Sequence, residues 1–407
     1  ADTQLLISTI DYNEYVGRIG IGKIDNGSLR VNQDCAIVNH HDMDKRRRVK
    51  IGKLYEFDGL NRVEVQSAEI GSIVAVSGIP DIHIGDTICS PENPVAIPFQ
   101  KISEPTISMN FMVNDSPLAG QEGKFITSRH IRERLFRELN TDVSLRVEET
   151  DSADCFKVSG RGELHLSVLI ENMRREGFEF AVSKAEVIYK YDERNRKLEP
   201  MELAYVDVPE EYSGSVIQKL TSRKGELQGM SPANGGYTRL EFSIPSRGLI
   251  GYRGEFMTDT KGNGILNTIF DGYAPFKGEL NYRKNGSLIA FEAGESITYG
   301  LFNAQERGNL FIGPGVKVYS GMVVGECPKA EDIELNVCKT KKLTNTRSSS
   351  SDEALKLTPP KDMSLEQCLD FIDTDELLEV TPKNLRIRKK ILDPTLRKRA
   401  MISKKNQ

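Results

Sequence analysis

The sequence predicts a multidomain α+β protein. Its parts are a small N-terminal β-barrel, two ferredoxin-like β-α-β-β-α-β domains, and a β-rich C-terminal domain with basic helices. Three observations carry this. The chain has 407 residues, too many for one hydrophobic core. Short β-branched or alternating runs separated by turn residues fill residues 4–90. The order strand, helix, strand, strand, helix, strand then occurs twice in succession.

Residues 1–93 read as the barrel. Leu5 to Ile10, Arg18 to Lys23, Cys35 to Asn39, Val49 to Glu56 and Ser72 to Ser77 are the strand runs. Asp25-Asn26-Gly27, Asp58-Gly59 and Gly85-Asp86 supply turns. Many short strands in so short a stretch favour closure into a small barrel. Pro91, Pro94, Pro98 and Pro105 mark a linker over residues 94–104.

Residues 105–183 form the first ferredoxin-like domain. Strands are expected at Thr106 to Phe111, Ser144 to Glu149, Phe156 to Ser159 and Phe178 to Val182, with helices at Ser128 to Leu139 and Gly162 to Arg175. In the second helix Leu166, Leu169, Ile170 and Met173 make one apolar stripe. Residues 199–279 repeat the order. Glu202 to Val208 is a strand, Ser213 is the expected cap of a helix that Gly225 ends, and Asn234-Gly235-Gly236 is a turn. Leu240, Phe242 and Ile244 then alternate with polar residues, as in a half-buried strand. A helix near Leu249 to Met257 and a strand near Gly264 to Phe270 complete the unit.

Residues 281–407 form the last domain. Glycines punctuate short apolar runs up to residue 338, and residues 339–362 read as a mobile, basic, Ser-rich loop. Ser364 and Gln367 make a capping box. Thr381-Pro382 and Asp393-Pro394 each have the form of an N-cap followed by proline, which predicts two basic helices.

The net charge of −4 gives no global basic excess, but its distribution is uneven. Lys45, Arg46, Arg47, Arg48, Lys50 and Lys53 crowd one segment, and Lys339, Lys341, Lys342 and Arg347 another. From Thr381 onward there are ten Lys or Arg against one acid, Asp393, directly after an acidic block from Asp362 to Glu379. Local patches are what a phosphate backbone feels. The six cysteines are scattered without a C-x-x-C pair, which fits neither a zinc ribbon nor a disulfide framework and suits a reducing cytoplasm. No apolar run is long enough for a membrane helix. The start at Ala1, without Met, predicts that a further stretch of protein precedes it.

No catalytic constellation is complete. A phosphate loop needs G-x-x-x-x-G-K-[ST], and Gly123-Lys124 has Leu118 and Phe125 at the required glycine and hydroxyl positions. Gly20 and Gly22 lack the third glycine of a dinucleotide fingerprint, where Asp25 stands. Gly294-Glu295-Ser296-Ile297-Thr298 misses the last glycine of a nucleophile elbow. His40, His41, Asp42 and Asp44 are adjacent loop residues that rarely converge on one metal. His165, beside the apolar stripe of its helix, has a structural reading, and Cys155 has no activating partner in sequence. No cofactor or metal is therefore expected for this stretch.

Several segments resemble the translational GTPases. Gly17-Arg18-Ile19-Gly20-Ile21-Gly22-Lys23-Ile24, with Ile70-Gly71-Ser72-Ile73-Val74-Ala75-Val76, is similar to the barrel that follows the GTPase domain in elongation factors (the elongation factor Tu domain 2 type). Ser159-Gly160-Arg161-Gly162-Glu163-Leu164-His165-Leu166 resembles the third domain of elongation factor G, and the second ferredoxin-like unit resembles its fifth. Ile244-Pro245-Ser246-Arg247-Gly248-Leu249-Ile250-Gly251-Tyr252-Arg253-Gly254-Glu255-Phe256, with Thr260-Lys261-Gly262-Asn263-Gly264, resembles the BipA (TypA) family more than LepA. The region after residue 281, which elongation factor G lacks, does the same.

The resemblance implies a cytoplasmic, ribosome-associated GTPase, linked to stress or cold adaptation and to large-subunit assembly. It implies that GTP and Mg belong to a preceding domain, and that this stretch hydrolyses no GTP alone. The implied partners of a monomer are the 70S ribosome and its large subunit, 23S rRNA and the acceptor stem of an A-site tRNA, with the barrel facing the small subunit. The RNA-binding candidates are first Lys339, Lys341, Lys342 and Arg347. The tail follows, with Arg386, Arg388, Lys389, Lys390, Arg397, Lys398 and Arg399, for which pairing with the acidic block is the competing reading. Lys45, Arg46, Arg47 and Arg48 on the barrel come third. Lys219, Arg223, Lys224, Arg247 and Arg253 on the second ferredoxin-like unit complete the set. A free-standing RNA-binding protein and an unrecognised hydrolase are the competing classes.

Overall fold

In a computed structural model of the chain, the described residues are 2–280, 283, 285–341 and 355–405. They form two compact units. One holds the residues through Pro105 together with Arg132–Val147, and the other holds Thr106–Ile131 and the residues from Glu148 on.

The first unit is built on ten strands: β1 (Gln4–Asn13), β2 (Gly17–Asn26), β3 (Ser28–Arg30), β4 (Asp34–Asn39), β5 (Asp42–Lys50), β6 (Leu54–Asp58), β7 (Asn61–Val65), β8 (Ser67–Glu69), β9 (Ile73–Val76) and β10 (Asp86–Cys89). Eight of them form one antiparallel sheet in the order β5-β4-β10-β1-β2-β9-β6-β7, and β3 pairs with β8. Leu5, Ile7, Ile24, Ile37, Leu54, Val74, Val76 and Ile88 fill its core. The predicted run from Val49 to Glu56 is two strands. Ile51 and Gly52 leave the β4 ladder to donate to the Gln33 and Ser77 carbonyls, which turns the chain into β6. The basic segment at 45–50 therefore lies on an edge strand.

The second unit opens with β11 (Ile107–Met112), α1 (Ser128–Glu138, whose last turns belong to the first unit), β12 (Arg146–Glu149), β13 (Cys155–Gly160), α2 (Glu163–Arg175) and β14 (Phe180–Ser183), the expected ferredoxin-like order. The α2 stripe of Leu166, Leu169, Ile170 and Met173 is buried, as its spacing predicts. Short strands β15 (Glu186–Val187) and β16 (Lys190–Tyr191) lead to the second repeat: β17 (Lys197–Pro209), α3 (Glu210–Ser222), β18 (Glu226–Ala233), β19 (Tyr237–Pro245), α4 (Ser246–Leu249), α5 (Tyr252–Asp259) and β20 (Ile265–Pro275). Its core packs Val206, Val208, Leu220, Phe242, Ile244, Tyr252 and Phe256 under the helices. Two local expectations are corrected. Ser213 is inside α3, donating its hydroxyl back to the Glu210 carbonyl rather than capping the helix. The helix expected at 249–257 is two helices, broken at Gly251, whose φ of 74° continues no right-handed helix.

The C-terminal part comprises β21 (Gly286–Ala290), β22 (Gly294–Glu295), α6 (Thr298–Gln305), β23 (Asn309–Leu310), β24 (Lys317–Val318), β25 (Met322–Cys327), β26 (Ile333–Leu335), α7 (Leu365–Phe371), β27 (Glu376–Val380), β28 (Leu385–Lys389) and α8 (Pro394–Lys405). Ser364 and Gln367 close the predicted capping box on α7. Asp393 accepts from the Leu396 N–H at the start of α8, as predicted. The helix expected after Thr381-Pro382 does not form. The Thr381 hydroxyl accepts from the Lys383 and Asn384 N–H groups in a turn, and residues 385–389 continue as a strand between β27 and β25.

One sheet of 11 strands, with the main run β13-β11-β14-β27-β28-β25-β21-β26, unites the first ferredoxin-like domain with the C-terminal part. The junction is β14 against β27, with Phe180 opposite Val380 and Ser183 opposite Leu377. The sequence predicted separate domains here because strand pairing across some 200 positions leaves no local pattern.

Candidate nucleic-acid interface

The C-terminal part holds two basic stretches, and the structure treats them differently. The first leaves the fold after Val337, which is 1% exposed. The Ile297 N–H donates to the Val337 carbonyl at 3.0 Å. A Cβ on Gly300 would lie 2.3 Å from that same oxygen, so α6 approaches this closely only because residue 300 is glycine. The Asn336 side chain accepts from the Cys338 N–H and donates to Glu292. Lys339 and Lys341 follow, exposed and with no side-chain partner among the described contacts. Lys342 and Arg347 lie outside the described residues.

The chain is described again from Leu355 and is held by the other end of α6. Gln305 donates to the Lys356 carbonyl and accepts from the Thr358 N–H at 2.9 Å. Both ends of the basic segment are thus fixed on one short helix. Sequence reading missed Gly300, Gln305 and Asn336 as anchors, since the contacts they make span up to 53 positions.

The second stretch, at the tail, is largely internal. Arg386 binds Glu122 at 3.0 Å and Glu379 at 3.2 Å. Glu379, fully buried, also accepts from the Asn114 amide and the Tyr319 hydroxyl. Arg388 binds Asp115 at 2.7 Å. Lys389 is 1% exposed among Asp332 (2.5 Å), Asp375 (3.1 Å) and Glu376 (3.2 Å). Burial alone would lower the Lys389 pKa, but the three carboxylates outweigh it and raise it. Arg397 binds Glu334 at 2.8 Å and the Ile391 and Leu392 carbonyls, which anchors α8. Four tail candidates are therefore engaged in internal pairs; Arg386 and Lys389 meet the acidic block, as the competing reading held, whereas Arg388 and Arg397 pair with Asp115 and Glu334 outside it. Lys390, Lys398 and Arg399 remain exposed.

The second ferredoxin-like unit repeats the lesson. Arg247 is 3% exposed, paired with the fully buried Glu199, bonded to the Gly278 carbonyl at 2.6 Å, and 4.4 Å from the Phe276 ring. Arg223 donates to the Gly248 and Ile250 carbonyls at 3.0 Å each, closing the α4–α5 break, and binds Glu255. Lys219 pairs with Glu255 and Asp259. Arg253 is exposed, and Lys224 is half-buried with a left-handed φ of 69°. On the barrel, Arg46 reaches the Pro91 carbonyl, Arg47 pairs with Asp81, and Lys45 pairs with Asp42 at 2.8 Å. Arg48 stands exposed.

Gly123-Lys124 does not fit a phosphate. A Cβ on Gly123 would lie 2.3 Å from the Cβ of Glu179, a carboxylate 1% exposed, and the Lys124 ammonium sits 5.2 Å from the Phe125 ring. A buried carboxylate is the opposite of a phosphate cradle. Ser296 is likewise internal, donating to the Gly313 carbonyl and accepting from the Val316 N–H. His165 accepts from the Arg161 N–H. Among the described residues no group of His, Cys, Asp and Glu is arranged to hold a metal ion, and no helix is long and apolar enough to cross a membrane.

Known families align with this architecture part by part. Residues 17–89 match the elongation factor Tu domain 2 model, and residues 196–284 match the elongation factor G C-terminus. Residues 285–394, which contain the pinned basic segment and the buried ion pairs, match the TypA/BipA C-terminal domain. The chain belongs to the TypA/BipA family. Three BipA relatives show how far the match extends, each named a large ribosomal subunit assembly factor. The Synechocystis protein is 51% identical over 386 residues, 95% of this chain and 64% of its own length. The Salmonella typhimurium protein is 50% identical over 405 residues, 99% and 66%. The Haemophilus influenzae protein is 51% identical over 401 residues, 98% and 65%. This BipA-family chain thus spans just under two thirds of the length of those relatives.

Proposed function

We propose that this BipA-family chain is the ribosome-gripping part of a translational GTPase that acts in large-subunit assembly and translation, in the cytoplasm. GTP and Mg would be handled by the part of the relatives outside the match. The observation that supports the reading best is the pinned basic segment. Lys339 and Lys341 are exposed and unpartnered at a place where both chain ends are anchored, while most neighbouring cations are consumed internally. Fixed ends with free cations suit phosphate contact, because neutralising phosphates releases counterions at little ordering cost to the fold. The ligand is rRNA of the large subunit and the acceptor stem of an A-site tRNA, bound by a single copy of the chain. Lys390, Lys398 and Arg399 add exposed cations in the C-terminal part, Lys224 and Arg253 serve on the second ferredoxin-like unit, and Arg48 faces the small subunit.

Co-sedimentation with 70S ribosomes across a salt series tests this. Binding is expected to fall steeply with salt, and Lys339→Glu with Lys341→Glu is expected to weaken it and flatten the salt dependence. Binding that ignores both salt and these substitutions refutes the reading.

A further inference from the structure

The second ferredoxin-like unit packs its helices on one face of its sheet. The four strands of the repeat pair in the order β18-β19-β17-β20. Val206, Val208, Leu240 and Phe242 point to the helices and form the core. Successive side chains on a strand alternate, so the residues between them point the opposite way. That open face carries Tyr205 and Asp207 on β17, Tyr237, Arg239 and Glu241 on β19, and Ile265 on β20. The two tyrosines are half-buried, the Arg239 side chain is 50% exposed, and Ile265 is 55% exposed.

The register sets these groups in a row. Arg239 lies opposite Asp207, and Tyr205 opposite Glu241. Ile265 lies opposite Asp207 on the other side. Tyr237 comes two residues before Arg239 and shares its face. The ion pair therefore stands midway between two rings roughly 14 Å apart, at ~3.4 Å per residue along the strand. Asp207 and Arg239 join through two bonds of 2.7 Å each. That leaves the outer N–H groups of the guanidinium and the outer lone pairs of the carboxylate for a ligand. Beside the pair, Tyr237, Pro232 and Ile265 wall a cavity of about 500 Å³.

We propose that this open face binds single-stranded RNA through its bases, one on Tyr237, one on Tyr205 and one hydrogen-bonded to the Asp207–Arg239 pair between them. Four-stranded sheets that read single-stranded RNA stack two or three bases on aromatic rings in this way. A base offers a flat face to a tyrosine ring and adjoining donors and acceptors to the fork of the ion pair. An apolar protein surface fits less well, because it would strip water from Asp207, Arg239 and Glu241 and return no hydrogen bonds. The two carboxylates outnumber the one guanidinium, so bases rather than phosphates carry the contact. Duplex RNA, whose bases are stacked and paired, is excluded. The site goes beyond the phosphate contacts proposed for Lys339 and Lys341 and depends on neither.

The chain has no tryptophan, so Tyr237→Trp introduces a single reporter of stacking. Fluorescence of that variant is titrated with a short, mixed-sequence single-stranded RNA, and with the same strand annealed to its complement. The expected result is saturable quenching by the single strand, none by the duplex, and an affinity that changes little with salt. In the same background Tyr205→Ala is expected to lower the affinity on the order of tenfold, the loss of one stacked base. Tyr205→Phe keeps the ring and is expected to bind as before. Lys339→Glu with Lys341→Glu is expected to leave this affinity unchanged, so the outcome here is read separately from ribosome binding. Absent quenching, equal quenching by the duplex, a steep fall with salt, or an affinity indifferent to Tyr205→Ala overturns the proposal. So does an affinity that the paired lysine substitutions abolish.

Discussion

Segment 339–341 and strand β28 lie in the same C-terminal part and are similarly basic, yet one is a surface and the other a core. Lys339 and Lys341 meet solvent, whereas Arg386, Arg388 and Lys389 are each less than 10% exposed and face carboxylates from Glu122, Asp115, Asp332 and Glu376. The difference is one of partners rather than composition. A cation run reads as a ligand site only after its internal acids have been counted, and those acids lie up to 273 positions away.

The sharpest way to break this contrast is to treat the two cation sets alike. Lys389→Met leaves Asp332, Asp375 and Glu376 clustered with Arg283 as their one remaining counter-charge among the described contacts. Removing one partner of a buried ion pair costs about 3–5 kcal/mol, and urea unfolding is expected to show a loss of that size. A loss below about 0.5 kcal/mol, ordinary for a surface change, would put β28 back among the candidate ligand residues. Lys339→Glu with Lys341→Glu is expected to do the reverse. The melting temperature stays, ribosome affinity drops on the order of tenfold or more, and the log–log salt slope falls by about two, roughly one per phosphate contact.

Acid sharpens the contrast from the carboxylate side. Burial pushes the Glu122 pKa up, but hydrogen bonds from Thr381, Arg386 and Asn384 outweigh this and hold it below its ordinary value of 4.5. Its folded-state pKa is depressed, so its contribution to stability is complete above 4.5 and disappears as pH falls through the folded value. Chemical denaturation between pH 6 and pH 3 is expected to show a steeper decline for the natural chain than for Glu122→Gln. Parallel curves would remove Glu122 from the set of stabilising carboxylates. The smallest effects belong to lone exposed cations. Lys398→Ala and Arg48→Ala are each expected to change stability by less than about 0.5 kcal/mol and to lower ribosome affinity only slightly in co-sedimentation.

Much of the fold was legible because its signals are local. The α2 stripe, the capping box at Ser364 and the alternation of Leu240, Phe242 and Ile244 each need fewer than a dozen neighbouring residues. Thr381-Pro382 misled because a capping hydroxyl followed by proline also makes a turn, and the strand after it is held by tertiary pairing with β25 and β27. Of the candidate site, the exposure of Lys339 and Lys341 was legible because acids are absent around them in the sequence. Arg247, Arg223 and Arg397 misled because Glu199, the Gly248 and Ile250 carbonyls, and Glu334 are brought to them only by the fold.

The β14–β27 ladder has a consequence for how the molecule melts. Where two neighbouring domains share one hydrogen-bonded sheet, neither can open without exposing the strand edge of the other. Amide exchange in Phe180–Ser183 and Glu376–Val380 should therefore proceed with a common opening free energy, and the ferredoxin-like half and the C-terminal half should unfold as a single foldon.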